Sequence, residues 1–444
     1  MDIRRIITES LGLQDVIIED IKQFKTRLRM EVTVRCQALK SRCHDCGNFL
    51  RPKVHQWELR PKIKGPPFGV YRDVIIKLWH PRSWCEHCHG VRKAWVPFIH
   101  PRFESMTCGF AETAGRLMEE TTCEAASRLL NFNSVLLWRL DQWRMQHMLQ
   151  RLELPSTVDL SFLSADEVHF KTLKIENRRG LWARRYRPEY ITNLVSYQDG
   201  KVLFNSLGRD SKSLENCLIP LTDAQKQSCQ FFAVDLHEPF ISVARTDLPN
   251  AKICVDRFHL AKALNEAFDR VRRAEFRLAK ERKDNLSHDM LLPHRRFILV
   301  SRQKELSSAE SRLLDKLRKA NLNIHTAMLL VEYLHKALDK ATVIGFRETL
   351  KTWYQVVREA KLLPFRKLAA TIRRYRRLIE NYIASRLTTA VSEGLNNKIK
   401  TLKRMGYGYT NPTSFRHKIL QRCGYLNHHH INTDEFLFRM PFHT

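Results

Sequence analysis

The chain has 444 residues, 43% of them hydrophobic, which is enough for two or three domains with buried cores and excludes a disordered tail or a short adaptor. Lys and Arg number 76 against 47 acidic residues, and the formal net charge of +29 indicates a polyanionic partner. No stretch approaches the roughly 18 apolar residues that a membrane span needs, so nucleic acid explains the charge better than a membrane surface does.

The N-terminal twenty residues lack the apolar core and the small-residue cleavage site of a signal peptide, so we expect a cytoplasmic protein with reduced thiols. The chain has eleven cysteines, an odd number that cannot all pair within one chain, and they are spread along its length. Four of them form two close pairs. This usage favours metal ligation over disulfide bonds.

Residues 1–100 are predicted to form a β-rich module of short strands, such as RLRMEVTVR and GVYRDVIIKLW. The module contains two CxxC pairs with 38 residues between them, Cys43 with Cys46 and Cys85 with Cys88. Each pair places two thiolates on one tight turn, and four thiolates complete a tetrahedral structural zinc site with no open position. The alternative is two chance CxxC turns that bind no metal.

Residues 101–155 change to Leu, Met and Ala at helical spacing. Within them TTCEAASRLLNFNSVLLWRLDQW has the pattern of helix, Asn-Phe-Asn turn and helix, which is typical of a helix-turn-helix whose second helix enters a major groove. A plain helical packing hairpin gives the same pattern. The nearby cations Arg128, Arg139 and Arg144 favour DNA binding.

Residues 156–259 alternate strand-like and helical runs, which predicts an α/β domain with a mixed sheet. The predicted strands are LSADEVHF, YITNLVSY, KVLFNSL, QFFAVD and AKICVD. Residues 260–385 are helical in pattern, and 386–444 contain one further amphipathic helix and a C-terminal segment. The predicted fold class is therefore multidomain α+β.

Three acidic residues are candidate catalytic metal ligands. Asp166 follows the apolar opening of the first strand and is expected at that strand's exposed end, and Asp235 ends the fourth strand, so the two should be neighbours. Glu393 lies near the start of the basic helix SEGLNNKIKTLKRMG. Clustered carboxylates can hold two Mg²⁺ ions that activate a nucleophile and stabilise the leaving oxygen of a phosphodiester. Each acid alone is more simply a capping or solvated group. Glu167 and Asp256 compete for the second position or for a supporting role.

The helix that begins near Glu393 presents several further polar groups on one side. Asn396, Asn397 and Lys400 follow at i+3, i+4 and i+7 and therefore share its face. That face can offer a metal ligand, two amides and a cation to one phosphate.

At these residues the sequence resembles the bacterial DDE transposases of the insertion-sequence L-three (ISL-three) family, over nearly the whole chain. The resemblance rests on five motifs: the CxxC pairs, ADE at 165–167, AVDLHEPF around Asp235, the Asp-Arg-Phe-His signature at Asp256 to His259, and SEGLNNKIKTLKRMGYGYTN from 392. The last motif is the most specific. The chain departs from the family at Ser164-Ala165, where a Gly or Ile is usual before the Asp-Glu pair.

The resemblance implies an RNase H-like catalytic core that is interrupted by a large all-helical insertion before the helix of Glu393. It implies an Asp-x-x-His element, Asp256 and His259, that packs near the active site or orients DNA. It also implies two catalytic Mg²⁺ ions, for which Mn²⁺ can substitute, one structural Zn²⁺, binding to double-stranded DNA at transposon ends and target, a homodimer on DNA, and action at the bacterial nucleoid.

Further cations are candidates for tracking DNA phosphates, and a solvated helix face is their alternative interpretation. With Arg128 and Arg139 they are Arg295, Arg296, Arg373, Arg374, Arg376, Arg377, Lys400, Lys403 and Arg404. Tyr375, inside the arginine cluster, is a candidate for stacking on an exposed base. The rival functions are a catalytically inactive, transposase-derived DNA-binding protein and an RNase H-like nuclease without strand transfer.

Overall fold

The computed structural model describes residues 3–37, 41–175, 185–255, 257–284, 288–289, 291–292, 322–387, 390–406 and 408–427. The chain divides into two compact units, Met1–Pro155 with Thr401–Thr444 and Ser156–Lys400. Unit 1 is thus formed by two separate stretches of the chain, and unit 2 by the stretch between them. None of the helices in these ranges is long and apolar enough to cross a membrane.

Unit 1 begins with helix α1 (Ile3–Ser10) and a sheet of five strands. The strands are β1 (Val16–Phe24), β2 (Arg29–Cys36), β3 (Val54–Gly65), β4 (Asp73–Cys85) and β5 (Gly90–Lys93). Their order is β1-β2-β4-β3, with β5 paired to β4. Alternate residues of β2 are buried, as expected for a strand with one face on a core. The β-rich module is therefore present, and the long β4 carries Cys85 at its end.

Three helices follow in unit 1, namely α2 (Cys108–Glu120), α3 (Cys123–Leu130) and α4 (Ser134–Gln150). Thr107, Thr122 and Asn133 cap their N-termini through side-chain oxygens. Asn131 ends α3 with φ of 48°, a left-handed conformation that asparagine tolerates well. A shared core that includes Phe110, Leu130 and Leu137 packs the helices together. The predicted helix, turn and helix are thus observed at Cys123–Gln150.

Unit 2 is built on a second five-stranded sheet, in the order β10-β9-β6-β7-β8. These strands are β6 (Phe162–Ile175), β7 (Arg185–Ser196), β8 (Lys201–Leu207), β9 (Phe231–Val234) and β10 (Lys252–Val255). Strands β6, β7 and β8 pair antiparallel, whereas β9 pairs parallel to both β6 and β10. The mixed sheet predicted from the sequence is observed, and the overall class is α+β.

The sheet of unit 2 is accompanied by helices α5 (Ser211–Leu218), α6 (Asp223–Ser228) and α7 (Glu238–Asp247). After β10 every described element is helical, as the sequence predicted. These elements are α8 (Arg257–Glu281), α9 (Leu322–Leu338), α10 (Val343–Ala360), α11 (Leu363–Arg374), α12 (Arg376–Ser385) and α13 (Ala390–Met405). The last helix of the chain, α14 (Pro412–Cys423), belongs to unit 1.

Candidate active site and metal centres

Two carboxylates of the candidate active site lie where β6 and β9 separate. The parallel pairing of these strands covers only Phe162–Ser164 of β6, with Ala233 as the last partner in β9. Asp166 follows two residues beyond that pairing and Asp235 directly after β9. We expected Asp166 at the end of its strand, but β6 continues to Ile175 because its antiparallel pairing with β7 extends far beyond β9.

Asp166, Glu167 and Asp235 converge, each offering a carboxylate oxygen within 4.8 Å of the others. Three different elements supply their partners. Asn396 Nδ2 of α13 donates to Asp166 Oδ2 at 2.6 Å, and Arg209 Nε pairs with Glu167 Oε1 at 2.7 Å. His259 Nε2 at the start of α8 contacts Asp235 Oδ1. The cluster therefore joins the two strands, the loop after β8 and two helices.

The convergence of acids is electrostatically unfavourable without a cation. Burial, followed by the nearby charges of Asp235 and Glu167, raises the pKa of Asp166 to about 7. Burial also raises the pKa of Glu167, although the Arg209 guanidinium opposes that shift. Glu167 Oε2 is buried and has no hydrogen-bond partner in the described part of the chain. Oxygen ligands of this kind fit a hard divalent cation such as Mg²⁺.

Glu393 lies in the first turn of α13 and lines the same cavity, which has a volume of about 710 Å³. The position of this turn is fixed by a 2.7 Å hydrogen bond between the hydroxyls of Ser392 and Ser164, both buried. Glu393 does not belong to the close group of three acids, in which Glu167 stands instead. Asn396, Asn397 and Lys400 also line the cavity, so one face of the helix contributes all four polar groups.

The cavity contains residues that the sequence analysis did not select. They are Arg209, Leu236, His237, Phe258, Lys262, Ala263 and Glu266. Arg209 is one of 76 basic residues, and no sequence signal distinguishes it. The position of Lys262 was more accessible to reasoning, because it follows His259 at i+3 on α8 and therefore shares its face.

The four cysteines of the CxxC pairs come together in unit 1, with their sulfurs all within 4.8 Å of one another. Cys43 and Cys88 Sγ are 4.0 Å apart, and Cys46 and Cys85 Sγ are 3.5 Å apart. Zn–S bonds of about 2.3 Å in a tetrahedron place sulfurs about 3.8 Å apart, so the geometry fits zinc. The backbone N–H of Asn48 is the main cause that lowers the pKa of Cys46 to about 6, whereas burial raises the pKa of Cys43 and the hydrogen bond with Cys46 raises that of Cys88 to about 12. Without a metal the cluster therefore does not hold four thiolates, and zinc binding would release protons from it.

The candidate DNA-binding cations of the helix-turn-helix differ in exposure. Arg128 and Arg139 are exposed on α3 and α4. Arg144 is buried and pairs with Glu112 at 3.2 Å and Glu119 at 3.4 Å, so the expectation that it favours DNA contact was wrong. Its place on the inner face of α4 explains the difference, because the guanidinium packs where Gly115 of α2 leaves no side chain.

The arginine cluster of α11 and α12 is exposed at Arg373, Arg374, Arg376 and Arg377. Tyr375 between them is buried and donates a 2.7 Å hydrogen bond to Glu238 Oε2, so it is not available for base stacking. Of the basic residues on α13, Lys400 and Arg404 are exposed and Lys403 is half-buried. Arg295, Arg296 and Asp256 lie outside the described residues.

Comparison of the chain with known protein families identifies the class of protein that carries this sheet and acid cluster. A family model described as a transposase, the ISL3 type of DDE transposases, matches residues 182–419, more than half of the chain. The protein therefore belongs to the ISL3 family of DDE transposases, which confirms the resemblance drawn from the sequence motifs. It is accordingly a DNA transposase.

The chain is also similar to two curated transposases over most of its length. It is 24% identical to the transposase of insertion sequence element IS1001 of Bordetella parapertussis, over 85% of this chain and 87% of the relative. It is 22% identical to that of IS1557 of Mycobacterium tuberculosis, over 87% and 85%. Among solved structures, the Drosophila P element transposase strand transfer complex matches with a TM-score of 0.37 and 12% identity, over 74% of this chain and 93% of that one.

Proposed function

We propose that this transposase binds the terminal inverted repeats of an insertion sequence and catalyses Mg²⁺-dependent strand cleavage and strand transfer, with Asp166, Asp235 and Glu393 as its catalytic acids. The observation that carries the proposal is the convergence of Asp166 and Asp235 at the point where β6 and β9 separate, in a cavity that Glu393 also lines. Helix capping or solvation does not explain why the carboxylates of Asp166 and Asp235 converge at the point where two strands of the sheet separate.

The strand order of unit 2 supports an RNase H-like core. Three antiparallel strands are followed by two parallel ones on the other side of the first, as β8-β7-β6-β9-β10. The helices from α8 to α12 separate this sheet from α13 in the sequence, which agrees with an insertion at 260–385. The connection between β10 and α13 is much longer than ordinary links between elements, and connections of this length usually have a functional role.

In this proposal the three acids hold the catalytic Mg²⁺ and their neighbours hold the acids. Bound Mg²⁺ would activate water or a 3'-hydroxyl and stabilise the leaving oxygen of the phosphodiester. Asn396 orients Asp166, His259 orients Asp235, and Arg209 compensates the charge of Glu167. Asn397 and Lys400, from the same cavity wall, are placed to contact the scissile phosphate.

The remaining modules are assigned to DNA recognition. Zinc on Cys43, Cys46, Cys85 and Cys88 would stabilise the β-rich module, and the helix-turn-helix would contact the transposon ends. The exposed arginines of α11 and α12, with Arg404, would contact phosphates. Pairing of two transposon ends requires at least a homodimer on DNA, and the site of action would be the bacterial cytoplasm.

The decisive experiment measures cleavage and joining of a labelled transposon-end duplex in Mg²⁺ by the full chain. Asp235→Ala and Glu393→Ala are each expected to reduce cleavage by more than about a thousandfold, since each removes a metal ligand. Glu215→Ala, an exposed acid on α5, is the matched control and should cleave normally. Unchanged cleavage in either catalytic variant would remove the assignment.

The same assay separates the two rival functions. An inactive DNA-binding protein would bind end DNA but would not cut it in Mg²⁺ or Mn²⁺. A nuclease without strand transfer would cut the duplex but would not join pre-cut ends to a target.

A further inference from the structure

The solvent-facing side of α4 is one wall of a groove within unit 1. Ser134, Val135, Trp138 and Gln142 of α4 contribute to this wall, and Arg128 of α3 extends it. Val135 is 54% exposed and Trp138 is 48% exposed, so apolar side chains stand uncovered on a helix with a well-formed core face. The opposite wall consists of residues 402, 404–406 and 408–411. We call this feature the α4 groove.

Side-chain packing and a helix cap support the described residues of the opposite wall of the α4 groove. The ring of Tyr409 packs against Phe415 of α14 at 4.7 Å between centroids. A Cβ at Gly406 would lie 2.5 Å from the Tyr409 ring, so the absence of a side chain there allows the ring to pack. The side-chain oxygen of Asn411 accepts hydrogen bonds from the backbone N–H groups of Thr413 and Ser414. This N-cap of α14 fixes the C-terminal end of the wall. These contacts fix the position of Gly406, Tyr409 and Asn411 in the wall.

The floor of the α4 groove contains a buried ion pair. Lys418 Nζ donates to Asp141 Oδ2 at 2.8 Å and to the Met118 carbonyl at 2.9 Å, and Gln421 Nε2 donates to the other Asp141 oxygen at 3.0 Å. Asp141 is thus neutralised within the protein. At the exposed rim, Arg128 and Arg404 outnumber Glu124, so the opening of the groove favours an anionic ligand.

The size of the α4 groove limits what can enter it. Its volume is about 1080 Å³, close to the upper end of the roughly 300–1,000 Å³ range of small-ligand sites. A recognition helix that enters a major groove needs its outer face free over its full width, since the groove is only about 12 Å wide. Here the face of Trp138 is opposed by a second wall. Because the face of Trp138 is not free over its full width, the groove is better suited to a short run of unpaired nucleotides than to a recognition helix's contact with a duplex.

We propose that the α4 groove binds unpaired nucleotides of DNA, with Trp138 stacking on a base and Arg128 and Arg404 contacting phosphates. This inference rests on the proposed function of unit 1 in DNA recognition. Every base has an aromatic face and every nucleotide a phosphate, so an exposed indole in a groove with two exposed cations is suited to single-stranded DNA of any sequence. Arg139, exposed on the same helix but outside the groove lining, remains available for duplex contacts.

The test compares the affinity of the full chain for two DNAs in buffer without divalent metal, by fluorescence anisotropy. One DNA is a blunt duplex, and the other is the same duplex with a five-nucleotide single-stranded tail. Trp138→Ala is expected to weaken binding of the tailed DNA by about tenfold or more and to leave the blunt duplex unchanged, because it removes one stacking contact. Trp138→Phe should restore most of the affinity.

Tyr333→Ala is the matched control, since Tyr333 of α9 is likewise an exposed aromatic residue, at 37%, and does not line the groove. It should bind both DNAs like the wild type. An equal loss of both DNAs in Trp138→Ala would mean that α4 contacts a duplex, and no loss of either would mean that the groove binds another ligand, such as a protein segment. Both results overturn the proposal. Neither affects the assignment of Asp166, Asp235 and Glu393, which the metal-dependent cleavage assay tests separately.

Discussion

Buried polar groups are arranged in opposite ways in the two units. In unit 1, Asp141 is 2% exposed and both of its carboxylate oxygens are bonded, to Lys418 and to Gln421. In unit 2, Asp166 and Glu167 are partly buried beside Asp235, and burial, followed by the charges of the neighbouring acids, raises the pKa of Asp166. The first arrangement stabilises a fold, whereas the second is unfavourable until a cation or substrate is bound. Such local conflict is expected at functional sites.

The two candidate metal centres show the same contrast. The four cysteines would supply the complete tetrahedral ligand set of a structural zinc, without an open position. The acids line an open cavity of about 710 Å³ that also contains amides and a lysine. We therefore expect removal of the first metal to unfold a module, and removal of the second to stop a reaction while the fold remains.

The largest expected effect on stability comes from Cys85→Ser. This change removes a ligand at the end of β4, and zinc binding contributes on the order of 10 kcal/mol to small zinc modules. The variant should bind less than stoichiometric zinc and lose hydrogen-exchange protection in the β-rich module, while β6 to β10 stay protected. Cys36→Ser, a half-buried cysteine of β2 outside the cluster, should keep its zinc. Full zinc content in Cys85→Ser would disprove the assigned ligand set.

The ion pair on the floor of the α4 groove gives the second largest effect. Lys418→Met leaves Asp141 buried without its counter-charge, which is expected to cost about 3–5 kcal/mol. The double variant Lys418→Met with Asp141→Leu removes both charges and should recover most of that loss. Chemical denaturation of the full chain, followed by exchange protection in α2 and α4, measures the change. A double variant no more stable than Lys418→Met would show that the pair is not the cause.

Local sequence pattern was sufficient to predict much of this molecule. The run KVLFNSL coincides with β8, because Asp199-Gly200 marks a turn before it and Gly208 ends it. The CxxC pairs were equally readable, since two thiolates on one turn are a local feature. The class of fold and the family followed from such features and from the motifs around Asp235 and Glu393.

Properties that depend on contacts between distant segments were not predictable. Arg144 resembled a DNA contact, but its burial depends on the space above Gly115, 29 positions earlier. Tyr375 is buried, and its hydroxyl donates a hydrogen bond to Glu238, which is 137 positions earlier. Arg209 pairs with Glu167 of β6 from the loop after β8. Composition and periodicity describe one segment at a time, so partners from other segments are not contained in them.

A smaller effect should appear as pH dependence in unit 1. Burial, followed by the charges of His147, Arg144 and Arg102, lowers the pKa of His100 to about 4. The unfolded chain, with a His pKa near 6.5, binds more protons than the folded one below that value, so stability falls as pH decreases from about 6.5 to 4. The loss should be about 2 kcal/mol at pH 5. His100→Gln should flatten this part of the profile, and an unchanged slope in urea unfolding between pH 7 and 5 would contradict the assignment.

The sharpest comparison makes one chemical change in both units. Asp166→Asn removes a charge that burial and two neighbouring acids disfavour, while Asn can still accept the hydrogen bond from Asn396 or from the Glu167 backbone. In Mg²⁺-free buffer above pH 7 we expect a gain on the order of 1–2 kcal/mol, together with loss of cleavage. Because the pKa of Asp166 is raised in the folded state, wild-type stability should fall as pH rises from about 4 to 7, and the variant should lack that fall.

Asp141→Asn makes the same change beside Lys418 and should destabilise unit 1, since the lysine then loses its counter-charge. Calorimetry on both variants decides the matter: a loss of stability in Asp166→Asn as large as that in Asp141→Asn would mean that the acids of unit 2 are structural and not held for catalysis.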